Sequence, residues 1–393
     1  CGQGRFSPRP TGTWDDPIQP TYTPLVDEST TAGHPLAMIG AYDCAPDTRE
    51  WGPEVIYRFT ADHPGTFRAE VFDEAGVDVD IHLLQDPVID GDIARGCIGR
   101  AHEQLVMHDL PAGEYFVVID TWASASGTVY EGEYRLAFEW IADGEWSEVP
   151  VDEGISWSRL RTADLLGLGY HQTVNLIEVE SGGGWDLQPD SHGGCATVAN
   201  HARSLGAIVG INGGFYSSCS TLDLLKADGV LFSTNEMTGF EQRSVGWNVM
   251  EDMAFAWIDA GTDWVSKSNA MGGFPSLVRE GIPFAEARPD VEVYSSGDWS
   301  MHPRTAIGLG SDGQAMLVTV DGRTAAGSGL RSGQMAMLMS DLGAVEALGL
   351  DGGGSTTMVV RDCWINDVVN SPSDDGTDGH GGARSVASGL YVR

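Results

Sequence analysis

Asp351 is followed by three glycines and Ser355-Thr356-Thr357, inside an otherwise apolar stretch that runs from Ala344 to Val360. Glycine brings no Cβ and tolerates positive φ, so this turn can bend sharply and admit a ligand to the main-chain N–H groups of Gly352, Gly353, Gly354 and Ser355. Those N–H groups form a nest suited to an anion, with the Asp351 carboxylate facing the same ligand. The stretch is not a P-loop, because no lysine follows the glycines. Ser355 does not sit on a nucleophile elbow, because Thr-Thr rather than x-Gly follows it. A Gly-rich hairpin with Asp and Ser is also ordinary turn chemistry, so the stretch gains meaning only from its company.

That company is a set of short polar motifs at the ends of apolar strands. Asn212-Gly213-Gly214-Phe215-Tyr216 offers an amide for a sugar's hydroxyls and an aromatic pair for its ring. Arg304 precedes the apolar run Thr305-Ala306-Ile307-Gly308, and Asp321-Gly322-Arg323 ends the strand Ala315 to Val320. Asn370-Ser371-Pro372-Ser373-Asp374 then leads toward Arg384. Each motif alone is common turn chemistry, but ligand sites gather at one edge of a sheet, and all of these lie at strand ends.

In this order the motifs resemble the phosphodiester glycosidase family over roughly residues 165–393. The resemblance implies hydrolysis of a sugar–phosphate diester at the anomeric carbon, with an N-acetylglucosamine-1-phosphodiester or a related cell-wall polymer as substrate. Two departures bear on substrate choice: Ser371 stands where many bacterial members have arginine, and the loop from Phe240 to Asp290 has no counterpart in the family pattern. Such a reaction develops positive charge on the sugar and negative charge on the departing phosphate. Arg304 is the expected phosphate clamp, since its planar fork donates two bonds to phosphate oxygens. Asp351 is the expected carboxylate, as stabiliser, nucleophile or base. Asn212 and Asp321 complete the expected catalytic set. Gly213, Gly214, Phe215, Gly352, Gly353, Gly354, Ser355, Asn370 and Asp374 are the expected substrate contacts.

The elements that must position these residues are legible in outline. From about Val174 the chain alternates strand and helix (Val174 to Val179, Ala196 to Leu205, Ala207 to Ile211), which reads as a mixed α/β or α+β domain over residues 144–393. The run Ala344 to Leu350 reads as a helix end and a short strand. Ahead of it, five segments between Val55 and Trp140 alternate apolar and polar side chains across HPG, EAG, PAG and GEG turns, which predicts an antiparallel β-sandwich over residues 37–143. Tyr57-Arg58-Phe59, Asp78-Val79-Asp80 and Leu110-Pro111-Ala112-Gly113-Glu114-Tyr115 resemble the pre-peptidase C-terminal type of accessory domain, which implies a secreted module with no catalysis of its own. Asp78, Asp80 and Asp120 are cation-capable but read as strand-face acids, and no chemistry is assigned to them here. Residues 3–36, rich in Pro, Thr, Gly and Asp, read as a flexible stalk.

Composition narrows the partners. The chain carries 57 acidic against 22 basic residues, a net charge of −35, and its only lysines are Lys226 and Lys267. Nucleic acid is excluded as a natural partner, because phosphate backbones are bound by basic surface. No apolar run is long enough to cross a bilayer as a helix. Cys1 at the first position resembles the lipidated cysteine of a bacterial lipoprotein, so an exported, membrane-tethered protein is expected. None of the other five cysteines has C-x-x-C or Cys/His spacing, which argues against zinc. In an exported chain disulfides are the default, here Cys44–Cys97 and Cys195–Cys219 with Cys363 left free. The acidic loop Ser373 to Gly379 is calcium-friendly without matching an EF-hand, and His192, His302 and His380 are loop histidines available as proton carriers. Two competing readings are a carbohydrate-binding surface lipoprotein without turnover and a serine hydrolase built on Ser355.

Overall fold

The computed structural model describes residues 2–3, 10–21, 23–236, 242–283, 300–325 and 327–393. Cys1 and its expected lipid lie outside them, as do residues 240–241 and 284–290 of the loop expected to set substrate choice. The chain divides into two compact units, one of residues 1–143 with 362–365, the other of residues 144–361 with 366–393.

The first unit is a β-sandwich of two five-stranded sheets. One sheet runs in spatial order Gly2–Gln3, Leu25–Thr30, Glu133–Ala142, Gly65–Asp73, Gln104–Leu110; the other runs Ala41–Tyr42, Ile93–Ala101, Val79–Asp90, Gly113–Thr121, Glu54–Ala61. Period-two alternation sends Tyr57, Phe59, Phe67, Val117 and Phe138 inward to one core. Truncating a ring such as Phe138 there costs about 3–5 kcal/mol. A second layer forms where Leu36, Ile39 and Tyr42 cover the outer face of the second sheet, against Ile56, Leu84 and Val118.

The expected stalk is corrected in this unit. Leu25–Thr30 is a full strand in register with Glu133–Phe138, and Ile18 and Leu25 are buried in the core. Its sequence, Leu-Val-Asp-Glu-Ser-Thr, hid the strand because Asp27 is itself buried, where it accepts from the Tyr57 hydroxyl at 2.8 Å. The Cys44–Cys97 bridge is present. Cys363 is disulfide-bonded rather than free, which corrects the second cysteine expectation.

The second unit is dominated by strands, with two α-helices, Val198–Leu205 and Ser332–Asp341, among the described residues. The expected mixed α/β domain is therefore corrected toward β: the Ala344 run is the strand Ala344–Gly349, not a helix end. Short apolar runs carry no periodicity that separates helix from strand. An eight-stranded antiparallel sheet runs Trp146–Asp152, Ile155–Thr162, Gln172–Val179, Ala315–Val320, Arg304–Gly310, Ala344–Gly349, Ser276–Arg279, Ile282–Pro283. A four-stranded sheet runs Leu187–Ala196, Val386–Val392, Val209–Asn212, Met358–Val360, and a five-stranded sheet contains Leu225–Ala227, Arg243–Trp247 and Asn269–Gly273. The Val198–Leu205 helix starts at Thr197, whose hydroxyl accepts from the Asn200 N–H, and stops at Gly206 in the left-handed region. The Cys195–Cys219 bridge ties its approach to the hairpin after Phe215.

Candidate active site

The Asp351 turn is not a hairpin. Its incoming strand, Ala344–Gly349, belongs to the eight-stranded sheet and its outgoing strand, Met358–Val360, to the four-stranded one, so Asp351 to Thr357 crosses between sheets. Asn212, at the end of Val209–Asn212, stitches that crossing. Its side-chain amide donates to the main-chain oxygen of Asp351 at 2.7 Å, and its amide oxygen accepts from the Thr305 hydroxyl at 2.8 Å and the Thr357 N–H at 3.1 Å. Gly213 adds a bond from the Asp351 N–H to its carbonyl, 3.2 Å.

Asn370 and Asp321 are a second bracket. Asn370 accepts from the Met358 N–H at 2.7 Å and donates to Thr356 O at 3.2 Å, while Asp321 Oδ1 accepts from the Ser371 N–H at 3.0 Å and from the Asn370 amide at 3.3 Å. Asn212, Asp321 and Asn370 are each 0% exposed. Asn212 and Asp321 of the expected catalytic set and Asn370 of the expected substrate contacts are thus placed inside the fold, where the bonds above hold the turn.

Asp351 itself is half-buried and reachable. Burial pushes its carboxyl above the ordinary range, opposed by the Ser355 side chain, the Gly352 N–H and the charge of Arg384. The expected anion nest is corrected as well: the Gly353 N–H donates to Pro303 O at 2.9 Å and the Ser355 N–H to Gly352 O at 3.3 Å. Positive charge at the turn comes from side chains instead. The Arg323 guanidinium lies against Gly353, and that of Arg384 against Gly354, where any Cβ would run into Arg384 and the Asp374 carboxylate. Arg384 and Asp374 form a bidentate pair, Nε to Oδ2 at 2.7 Å and Nη2 to Oδ1 at 2.8 Å. Arg323 donates to His302 Nδ1 from Nη2 at 2.8 Å and from Nε at 3.2 Å.

Arg304, the expected phosphate clamp, commits its fork elsewhere. Its Nε donates to Leu330 O at 2.7 Å and its Nη2 to Ser300 O at 3.1 Å. A strand-start arginine follows the face its Cβ points to, which the motif alone does not reveal.

Asp223 is the residue that motif reading missed. It is fully buried, its Oδ2 accepts from the Phe215 N–H, and its Oδ1 accepts from the Gln242 amide at 2.6 Å. A Cβ on Gly214 would collide with the same carboxylate, so glycine is what lets the Asn212 to Phe215 loop lie on it. Burial pushes Asp223 up to about 7, helped by the charge of Asp351 and opposed by its two hydrogen bonds. Asp223 stands in no recognisable turn motif, so only its partners reveal it. Phe215 and Tyr216 follow, both half-buried, with the Tyr216 hydroxyl on Ser385 O at 3.1 Å. Beyond them opens a cleft of ≈ 780 Å³ lined by Thr221, Phe232, Ser233 and Glu236 among others. The Ser233 hydroxyl donates to the main-chain oxygen of Asp223 at 2.5 Å.

Other expectations fall away from the site. His192 is held by Val386 O and the Tyr391 hydroxyl, both at 2.7 Å, and burial with the neighbouring His201 brings it down to about 4. His380 is buried on Asn370 O at 2.8 Å. Ser355 is fully buried, which removes it as an accessible nucleophile. In the acidic loop, Asp374 is engaged by Arg384 and Asp375 accepts from the Thr377 N–H at 2.9 Å.

Residues 205–393 match the family model described as phosphodiester glycosidase. An SPbeta prophage-derived uncharacterized protein of Bacillus subtilis is 28% identical over 179 residues, covering 44% of this chain and 27% of that protein. The N-acetylglucosamine-1-phosphodiester alpha-N-acetylglucosaminidase of Mus musculus is 29% identical over 213 residues, covering 48% of this chain and 38% of that enzyme. The chain thus spans well under half the length of these curated relatives. The solved catalytic domain of the zebrafish enzyme of the same name shares the fold, with a TM-score of 0.50 at 19% identity over 63% of this chain and 87% of that one. Residues 205–393 carry the domain of the phosphodiester glycosidase family.

Proposed function

We propose that the second unit hydrolyses glycosyl phosphodiesters at the bond between the anomeric carbon and the phosphate oxygen. The observation that carries this reading is a reachable, half-buried carboxylate, Asp351, on a glycine turn flanked by the guanidinium groups of Arg323 and Arg384. The family match of residues 205–393 supports the same reaction class.

In this reading Arg384 and Arg323, which lie against the glycine turn, hold the phosphate through the N–H donors that their pairs with Asp374 and His302 leave over. Asp374 fixes the Arg384 fork from behind. Asp351 faces the sugar, where it stabilises the oxocarbenium-like state and receives the proton of the attacking water. The oxygen of water bonds to the anomeric carbon, the carbon–oxygen bond breaks, and its electron pair leaves with a phosphomonoester. Phe215 and Tyr216 offer aromatic surface to the sugar, and the cleft beyond them takes further substrate. The disulfides Cys44–Cys97 and Cys195–Cys219 support an exported protein.

Hydrolysis of an α-N-acetylglucosamine-1-phosphodiester in ¹⁸O-water tests the reaction class. The label is expected in the released sugar and not in the phosphomonoester. Label in the phosphate would mark a phosphodiesterase cutting the P–O bond, and binding without either product would return the domain to a carbohydrate-binding role.

A further inference from the structure

The strand Leu187–Ala196 leaves its ladder with Val386–Val392 after Ser191 and rejoins it at Ala196. Those two residues are five apart in sequence, whereas their partners Ser388 and Val386 are two apart. The excess forms a bulge, a device that re-aims backbone at the rim of a site. His192 anchors the bulge inward, on Val386 O and the Tyr391 hydroxyl. Joined to it is the hairpin that pairs Tyr216 with Thr221 and Ser217 with Ser220. Its turn residues, Ser218 and Cys219, hold φ of 49° and 63°, a tight-turn geometry that ordinarily calls for glycine or asparagine. The Cys195–Cys219 bridge ties the bulge to this turn.

Bulge, hairpin and the strand Val230–Ser233 are the walls of the ≈ 780 Å³ cleft. Ser233 joins its strand to the main-chain oxygen of Asp223, whose carboxylate holds the Phe215 N–H and feels the charge of Asp351. The cleft therefore continues from the aromatic and carboxylate end of the candidate active site. Ser191, Ser218, Ser220, Thr221 and Thr234 bring hydroxyls to its walls, and Phe232, 50% exposed, brings a ring. Glu236 is the one charged residue among the described residues that line it, in a chain of net charge −35. Short hydroxyls both donate to and accept from the hydroxyls of a sugar, and an aromatic face packs on the C–H face of its ring. Walls of this kind offer no charge-assisted bond to a phosphate or an acidic sugar. At ≈ 780 Å³ the cleft is toward the upper part of the range of about 300–1,000 Å³ for ligand sites, more than one sugar ring fills.

We propose that this cleft binds a neutral glycan chain on the sugar side of the scissile bond, so that the substrate is an oligosaccharyl 1-phosphodiester and the product an oligosaccharide. The inference rests on the glycosyl phosphodiester reading of the Asp351 site. Phe232 is the residue that selects for chain length, by stacking on a sugar beyond the one at the reacting centre. The bulge and the hairpin, fixed to each other by a covalent bridge, present their hydroxyls without having to be ordered by the ligand.

The test compares phosphodiesters that share one alcohol beyond the phosphate and carry a single N-acetylglucosamine or a linear trimer of it. The trimer is expected to have the higher kcat/KM, by about tenfold or more, and to be released whole. Phe232→Ala should bring the ratio of the two close to one, while Val265→Ala, at an 83% exposed position outside the cleft lining, keeps it. Calorimetry with the phosphate-free trimer gives a second readout that needs no turnover: heat with the parent and none with Phe232→Ala. That heat in a chain which turns over neither phosphodiester would support the glycan cleft and contradict the reaction. Equal kcat/KM for the two substrates, with no heat from the free trimer, overturns the proposal and leaves the reaction standing. A gain in rate that follows sugars added beyond the phosphate overturns it as well. Neither turnover nor heat would overturn both.

Discussion

The side-chain amide of Asn212 donates to the main-chain oxygen of Asp351 at 2.7 Å, and its amide oxygen takes the Thr305 hydroxyl and the Thr357 N–H. One buried side chain thus fixes the carboxylate turn to both sheets. Asn212→Ala would strand these buried partners, and a loss of about 2–4 kcal/mol is expected in urea unfolding. Turnover should fall with the displaced turn, so the measurement to pair with it is activity at a temperature where the variant remains folded.

The Arg384–Asp374 pair is exposed, so its contribution to stability is expected to be small, under about 1 kcal/mol. Its contribution to function is expected to be large. Arg384→Lys removes the planar fork and should lower kcat/KM by about tenfold or more with Tm unchanged within a degree or two. Steady-state kinetics beside a melting curve checks both halves.

Gly354→Ala places a methyl group against the Asp374 carboxylate and the Arg384 guanidinium. Moving them costs about 1–3 kcal/mol, and activity should fall by as much as in Arg384→Lys. A variant at Gly376, where nothing lies near the Cβ position and only the positive φ of 70° strains a side chain, serves as the comparison.

Asp223 titrates up to about 7 because it is buried, with the charge of Asp351 adding to the shift. Its pKa is raised above the unfolded value, so its stabilising contribution is complete below about pH 4 and is lost as pH rises toward and through about 7. Urea unfolding of the parent should show that decline, and Asp223→Asn should flatten it while lowering the baseline, since an amide cannot accept from both Phe215 and Gln242 as the carboxylate does. A limb in kcat/KM near pH 7 that disappears in the same variant would tie Asp223 to the reacting state.

Much of the site was legible because glycine and small polar residues at strand ends have few structural uses in combination. The motifs at Asn212, Asp321, Asp351 and Asn370 all converge on one crossing. Their division of labour was not legible. Asn212, Asp321 and Asn370 sit wholly inside and hold the turn, and Arg304 turns to Leu330 and Ser300. Side-chain direction depends on the face and on neighbours distant in sequence, so it is Arg323 and Arg384, not Arg304, whose guanidinium groups lie against the glycine turn. Asp223 had no signature because its function rests on Phe215 and Gln242, neither in a local motif with it. In the fold, alternation revealed the sandwich strands between Val55 and Trp140. Leu25–Thr30 stayed hidden behind a buried aspartate, and Ala344–Gly349 behind an apolar run too short to show a period.

The most direct test is the kcat/KM of the parent and of Asp351→Asn on an α-N-acetylglucosamine-1-phosphodiester, with circular dichroism showing both folded. Measurable turnover by the parent and a loss of about a thousandfold in the variant are expected for a carboxylate that acts on the reacting centre. Comparable rates in the two proteins, or no turnover by a folded parent across several glycosyl phosphodiesters, would contradict the assignment of Asp351 and of the reaction.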